Sequence, residues 1–328
     1  MKSACLATSL SGLFFLLCPV CLLAQVPESV AGAYRKAQDY LYVNEDSCAR
    51  FCDEVYDYAV RHNDTELEAD VLLLKAETLF YKGDVDAVME ICATVREMAQ
   101  RSGNRLLLVQ SLILQGRSYM DIDRFDKAYS ALSAAQDMAS SMSDSTLMAK
   151  IYNAFGVLHD LQHQEGLALD YYFRGLDFAG HSVDPLLPIR FLNNIAIIYT
   201  AQGRFEDAKS ILFDCIAKVK EKGIAFGLDR LYMNIVPVYI SLGQVDSALF
   251  YVDKSLEIAS QSNNNSSIAR SLIYKGYIYF MEKDYERADY AFAVADSLIR
   301  PLGFDNMHCM ILRYRAWVAE GQGRFEEA

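Results

Sequence analysis

Three groups of side chains have the type and spacing to do chemistry. His159 and His163 stand four apart in HDLQH, so on a helix both imidazoles share one face and could bind one metal ion. Cys48 and Cys52 are also four apart, which would allow a redox pair. Lys150, Arg190, Arg230 and Arg270 follow one another at steps of forty residues. Cations gathered into one row hold carboxylates well. What each group can do depends on the elements that carry it.

Composition narrows those elements. The chain has 328 residues, of which 52% are hydrophobic and 23% charged, with 17 glycines and 6 prolines. That is too apolar for a disordered chain and too poor in glycine and proline for a collagen-like one. Acidic residues outnumber basic ones by 43 to 31, for a net charge of −12. A surface of that sign repels phosphate backbones, so nucleic acid is excluded as a partner of this region as a whole. There is no GxSxG, no glycine-rich phosphate loop and no HExxH. No catalytic residue, enzyme activity or cofactor is expected.

Residues 1–24 stand apart. Lys2 is their one charge, an apolar run extends from Leu10 to Leu23, and Ala24 closes it. A basic start, a short apolar core and a small terminal residue describe a secretory signal peptide, so the chain is expected to be exported, facing the periplasm or the extracellular space. Neither Cys18 nor Cys21 follows the small residue that a lipoprotein cysteine requires. Cys48, Cys52, Cys92, Cys215 and Cys309 remain, an odd number with no CxxC. Buried free thiols are the expectation, ahead of a disulfide framework or a zinc site.

From residue 25 onwards the chain repeats itself. YKGDVDAV from Tyr81, DIDRFDKA from Asp121, LQHQEGLA from Leu161, AQGRFEDA from Ala201, SLGQVDSA from Ser241, MEKDYERA from Met281 and GQGRFEEA from Gly321 all begin forty residues apart, with LYVNEDSC from Leu41 as a worn first copy. The third position is often glycine (Gly83, Gly203, Gly243, Gly323), the residue that ends a helix in a left-handed turn. Seven residues before it recur small residues (Ala76, Gly116, Gly156, Ala196, Gly276, Ala316), and four before it Tyr119, Tyr199, Tyr239 and Tyr279. Eleven before it lie Leu72, Leu112, Tyr152, Leu192, Tyr232, Leu272 and Leu312. Spacings of four and three place these rows on one helical face, where small residues let two helices approach. Ala99, Ala139, Ala179 and Ala259 mark the apolar face of a second helix.

This helix-turn-helix pattern resembles the tetratricopeptide repeat family over roughly residues 30–328. The long period is similar to that of bacterial peptide-sensing regulators and other families with extended repeats. His163 and Lys283 depart from it at the turn glycine, and Val236 at the small residue. The resemblance implies an all-α fold: a right-handed solenoid of stacked antiparallel helix pairs over 25–328, with about seven complete repeats and a truncated eighth, its first helices lining the concave side.

In that register the three groups separate. His159 falls in the tyrosine row and reads as a core filler, His163 replaces a turn glycine, no third ligand is evident, and no metal is expected. The row Asp70, Gln110, Lys150, Arg190, Arg230, Arg270 and Met310 lies about 200° around the helix from the Leu/Tyr packing row, facing away from the core. Four residues along come Ala154, Asn194, Asn234 and Tyr274; seven along come Val157, Ile197, Pro237 and Tyr277; Asn153 and Asn193 flank them. A wall of Lys150, Arg190, Arg230, Arg270, Asn153, Asn193, Asn194, Asn234, Tyr274 and Tyr277 suits a peptide, with cations and amides for its carboxylates and backbone and an apolar row for its side chains. The resemblance implies the same use, since concave cations and asparagines hold peptides in such receptors. The competing reading pairs the cations with acidic neighbours and packs the apolar row against the next repeat. Pro237 is expected to kink or break its helix near Met233.

The expectation is therefore a non-enzymatic, exported scaffold that binds a protein or peptide, with an acidic group or C-terminal carboxylate as the feature recognised. The sequence stops inside an eighth repeat, which reads as a truncation. The alternative is the N-terminal periplasmic sensory region of a transmembrane signalling protein or transcriptional regulator, the membrane span and output domain lying further on.

Overall fold

The computed structural model describes residues 26–41, 45–182, 184–221, 227–261, 264–300 and 305–324. The expected signal peptide over 1–24 and residues 325–328 lie outside them. The described residues form fifteen helices and no strand: α1 Glu28–Tyr40, α2 Glu45–His62, α3 Thr65–Lys82, α4 Val85–Ser102, α5 Arg105–Asp121, α6 Phe125–Ser140, α7 Ser145–Leu161, α8 Glu165–Ala179, α9 Leu187–Ala201, α10 Phe205–Glu221, α11 Leu228–Ser241, α12 Val245–Gln261, α13 Asn265–Met281, α14 Tyr285–Ile299 and α15 Asp305–Gly321. From α2 to α14 every second helix begins forty residues after the last. The forty-residue period is thus one helix pair, and α1–α14 make seven pairs followed by α15.

The turn inside each pair from α3–α4 onwards has one geometry, whatever residue occupies it. Gly83, Gly203, Gly243 and Gly323 have φ of 78°, 75°, 70° and 75°. Asp123, His163 and Lys283 stand at the same place with φ of 56°, 57° and 61°. The next amide reaches back five residues, as Asp84 N to Leu79 O at 3.1 Å and Gln164 N to His159 O at 2.8 Å, satisfying a carbonyl that the helix end leaves open. Replacing the turn glycine therefore keeps the turn, at a local backbone cost on the order of 1 kcal/mol. Between pairs, Asp64, Asn104, Asp144 and Asn264 cap the first helices by accepting from Leu67, Leu107, Leu147 and Ser267 backbone N–H groups.

The small-residue row does what its position predicts. A Cβ on Gly156 would lie 2.2 Å from Tyr172 Cε1, one on Gly276 2.8 Å from Phe292 Cε1, and one on Gly116 2.9 Å from the Leu132 side chain. Each glycine admits a large side chain from the second helix of its own pair. The alanine row of the second helices is also buried. A further row was not singled out from sequence: Ala135, Gly175, Cys215, Ser255 and Ala295, all fully or almost fully buried. Here Gly175 admits the Phe191 ring from the first helix of the next pair.

Of the two outcomes expected at Pro237, a kink or a break, helix α11 excludes the break. It runs unbroken from Leu228 to Ser241 with Pro237 inside it. Met233, Ile235, Val236 and Val238 are buried on either side of the proline, and their packing holds the helix through the missing backbone bond.

Close approaches between second-neighbour helices all join first helices to first helices: α1 to α3, α3 to α5, α5 to α7, α9 to α11, α11 to α13 and α13 to α15. First helices therefore form the inner wall of the curved array and second helices the outer one. Helices α7 and α9 approach less closely than these, and between their repeats lies the longer connection 180–186.

Among the cysteines, Cys48, Cys52, Cys92 and Cys215 are buried free thiols and Cys309 is exposed. Cys48 donates to the Ala37 carbonyl at 3.1 Å and fills the core between α1, α2 and α3 together with Cys52. No helix among the described residues is long and apolar enough to cross a membrane.

Candidate functional site: the concave wall

The asparagines of the inner wall form a ladder. Asn194 Nδ2 donates to Asn153 Oδ1 at 3.1 Å, and Asn234 Nδ2 donates to Asn193 Oδ1 at 2.7 Å. Both steps have an offset of forty-one residues, so α7, α9 and α11 are joined in one register. All four side chains are half-buried. Each amide has two donor hydrogens and an acceptor oxygen with two lone pairs, so every rung leaves donors and acceptors unspent. Burial raises the Tyr172 hydroxyl above its usual pKa, and the neighbouring Asn194 side chain opposes that shift.

The charges divide the wall into two halves. In the N-terminal half they are matched internally. Arg117 on α5 binds Glu77 on α3 at 2.8 and 2.9 Å, with both side chains largely covered. These two occupy the row that continues as Val157, Ile197, Pro237 and Tyr277. Asp70 on α3 accepts a hydrogen bond from the Tyr34 hydroxyl. Burial raises the Asp70 carboxyl above its ordinary range, against the Tyr34 bond and the charge of Lys150, which both favour ionisation. Lys150 on α7 is exposed, and its charge favours ionisation of Asp70.

The C-terminal half carries the three arginines of the row. Arg190 on α9 is half-buried, whereas Arg230 on α11 and Arg270 on α13 are solvent-accessible inside the concavity. Desolvation by the surrounding wall lowers the Arg270 guanidinium below its usual value, and repulsion from Arg230 lowers it further. Asp229 attracts Arg270, but its carboxylate also accepts from the Ser267 hydroxyl at 2.8 Å. Two guanidiniums that repel each other in a partly desolvated groove are stabilised by an incoming anion. Tyr274, one turn beyond Arg270, is half-buried and packs on the core beside α11. Tyr277 stacks obliquely with Tyr314 of α15, ring centres 5.4 Å apart, so its ring belongs to the packing between first helices. Ile197 is 41% exposed and supplies apolar surface beside the ladder.

The histidines lie at and just beyond the end of α7: His159 is half-buried rather than a core residue, and His163 is exposed. His159 Nδ1 lies 2.6 Å from Gln164 Oε1 and its ring stacks on Tyr171 at 5.1 Å. His163 occupies the left-handed turn. No group of three or more His, Cys, Asp or Glu able to hold a metal is present among the described residues.

Comparison with known proteins agrees with the fold. The tetratricopeptide repeat profile matches residues 229–262, which cover α11 and α12. No curated protein matches the chain significantly. Among solved structures, a Rap protein complexed with Competence and Sporulation Factor superposes with a TM-score of 0.63 at 15% identity, over 92% of this chain and 94% of that one. NprR in complex with its cognate peptide NprX gives a TM-score of 0.59 at 17% identity, over 92% and 88%. A tetratricopeptide repeat protein from Parabacteroides merdae gives 0.52 at 14% identity, over 89% and 99%. The chain is thus an all-α solenoid that contains a tetratricopeptide repeat and is similar in fold to tetratricopeptide-type proteins.

Proposed function

We propose that the chain is a non-enzymatic scaffold that binds a protein or peptide along its concave wall, with a carboxylate of the ligand held at Arg230 and Arg270. The observation that carries this reading is the coincidence, on α9, α11 and α13, of Arg230 and Arg270, which repel each other, with an asparagine ladder that retains hydrogen-bonding capacity. The ladder offers its spare donors and acceptors to a peptide backbone, and Ile197 and Pro237 offer apolar contact. A structure of similar fold that holds a peptide, NprR in complex with its cognate peptide NprX, lends the reading support. The N-terminal leader pattern supports export, which would place the groove outside the cytoplasm.

Retention of a random peptide pool with free C-terminal carboxylates, compared with the same pool amidated, tests this directly. The free-acid pool should be retained more strongly, and Arg230→Ala with Arg270→Ala should lower its retention at least tenfold. Equal retention of both pools, or no effect of the double substitution, overturns the carboxylate assignment. The second reading, a periplasmic sensory region of a longer signalling protein, draws on the quorum sensor NprR among the similar folds. Coding sequence downstream for a membrane span and an output domain would favour it; a stop codon after Ala328 would oppose it.

A further inference from the structure

A second recognition surface lies on the outer wall. One row of the second helices faces solvent in six consecutive repeats, at Glu90, Ser130, Asp170, Ser210, Phe250 and Tyr290. Its first four members are polar, as a solvated face should be, and the row then turns aromatic. Another outward row places Phe213 on α10, opposite Phe250 on α12. Between these helices lies a cavity of about 420 Å³ with Tyr232 of α11 and Tyr251 of α12 in its lining. Phe213 and Phe250 are 37% and 54% exposed, so neither ring is spent on the core.

The rings are organised around Tyr251. It stacks on Tyr239 at 5.4 Å, and the edges of Phe213 and Phe250 approach it at 6.0 and 5.1 Å. The box is therefore held from behind and open in front. Its charged lining residues are Lys220 and Lys254, and no carboxylate lines it. Lys220 Nζ lies 5.6 Å from the Tyr232 ring centre, and Lys254 pairs with Glu257 at 2.9 Å on the rim. In a chain of net charge −12, a cationic aromatic mouth is complementary to an apolar group that arrives beside a negative charge.

We propose that the groove between α10 and α12 docks a segment of another protein that carries an aromatic or branched apolar side chain next to an Asp or Glu. The apolar side chain enters the box of Phe213, Tyr232, Phe250 and Tyr251, and the carboxylate meets Lys220. A protein segment suits this place better than a free small molecule. Small-molecule pockets cover most of their ligand, whereas this groove covers one side and leaves the rest to further contacts. The site is on the opposite wall from the arginines, so it can be occupied independently of the concave groove.

Selection of phage-displayed heptapeptides, blocked at both ends, on the immobilised chain provides the test, with a Phe250→Ser, Lys220→Glu variant for counter-selection. Peptides that pass should carry an aromatic or branched apolar residue within two positions of Asp or Glu. They should bind Lys220→Glu at least tenfold more weakly and Arg270→Ala with unchanged affinity, which separates this site from the inner one. Absence of enrichment, enrichment without acidic residues, or unchanged binding to the double variant overturns the proposal. So does sedimentation showing a dimer that the double variant dissolves, since the surface would then serve a second copy of the chain. Unchanged helical content and melting of the variant verify its fold, as expected for two exposed side chains.

Discussion

Asn234 donates its side-chain amide to Asn193 Oδ1 at 2.7 Å, joining two consecutive first helices across the concave wall. Removing either amide leaves the other half-buried with one bond fewer. Asn193→Ala should lower stability by about 1 kcal/mol, and the double substitution should cost less than the sum of the singles. Chemical denaturation of the four proteins in the cycle measures the coupling; strict additivity would show that the rung contributes nothing to the fold.

Glycines in this chain divide sharply by what surrounds them. Gly156→Ala pushes a methyl group into the Tyr172 ring and should destabilise the chain by about 1–3 kcal/mol. Gly166, near the start of α8, has nothing within 4 Å of its missing Cβ. Gly166→Ala should therefore raise stability by about 0.5 kcal/mol through helix propensity and a less flexible unfolded chain. Thermal melts should move in opposite directions for the two variants.

Two carboxyls have opposite pH linkage. Burial holds the Asp70 carboxyl above its unfolded value, so the stability it contributes is full below the ordinary Asp range and is lost as pH rises through its folded pKa. Asp296 is lowered: burial opposes ionisation, but hydrogen bonds from His308 and Arg300, each at 2.5 Å, outweigh it. Its contribution is present above the ordinary Asp range and is lost as pH falls through the depressed folded value. Melting curves across pH for Asp70→Asn and Asp296→Asn should flatten the wild-type profile with opposite signs.

Alkylation of the folded chain should reach Cys309 well before Cys48, Cys52, Cys92 or Cys215. Burial pushes Cys215 up to about 11 and Cys92 up to about 12, and it also shields both sulfurs, so the thiolate is scarce and inaccessible. Peptide mapping after brief iodoacetamide treatment checks the order. Early labelling of Cys92 would require local opening of α4.

The helix pairs were legible because their signal is repeated. Gly116, Gly156 and Gly276 recur where a second-helix side chain must pass, and the period alone places them against their partners. Contacts between repeats were harder to read. The offset of forty-one that joins Asn153 to Asn194 depends on how one pair rotates against the next, which no single period contains. The link from Tyr34 to Asp70 was hidden for another reason: α1 belongs to the worn first copy and keeps few signature positions. The break expected at Pro237 failed because local propensity yields to the packing of four buried neighbours.

The looser approach of α7 and α9 has a mechanical consequence. Bending stiffness in a stacked array comes from contact along its inner wall, and here that contact is thinnest at one joint, bridged by the Asn153–Asn194 rung and flanked by the connection 180–186. If the array bends, it is expected to yield there first, as two rods about an elbow. Flexing the elbow changes the distance from Lys150 to Arg190 while leaving each rod intact. A ligand that spans both rods does work on that angle, and a ligand confined to the arginine-bearing rod does not.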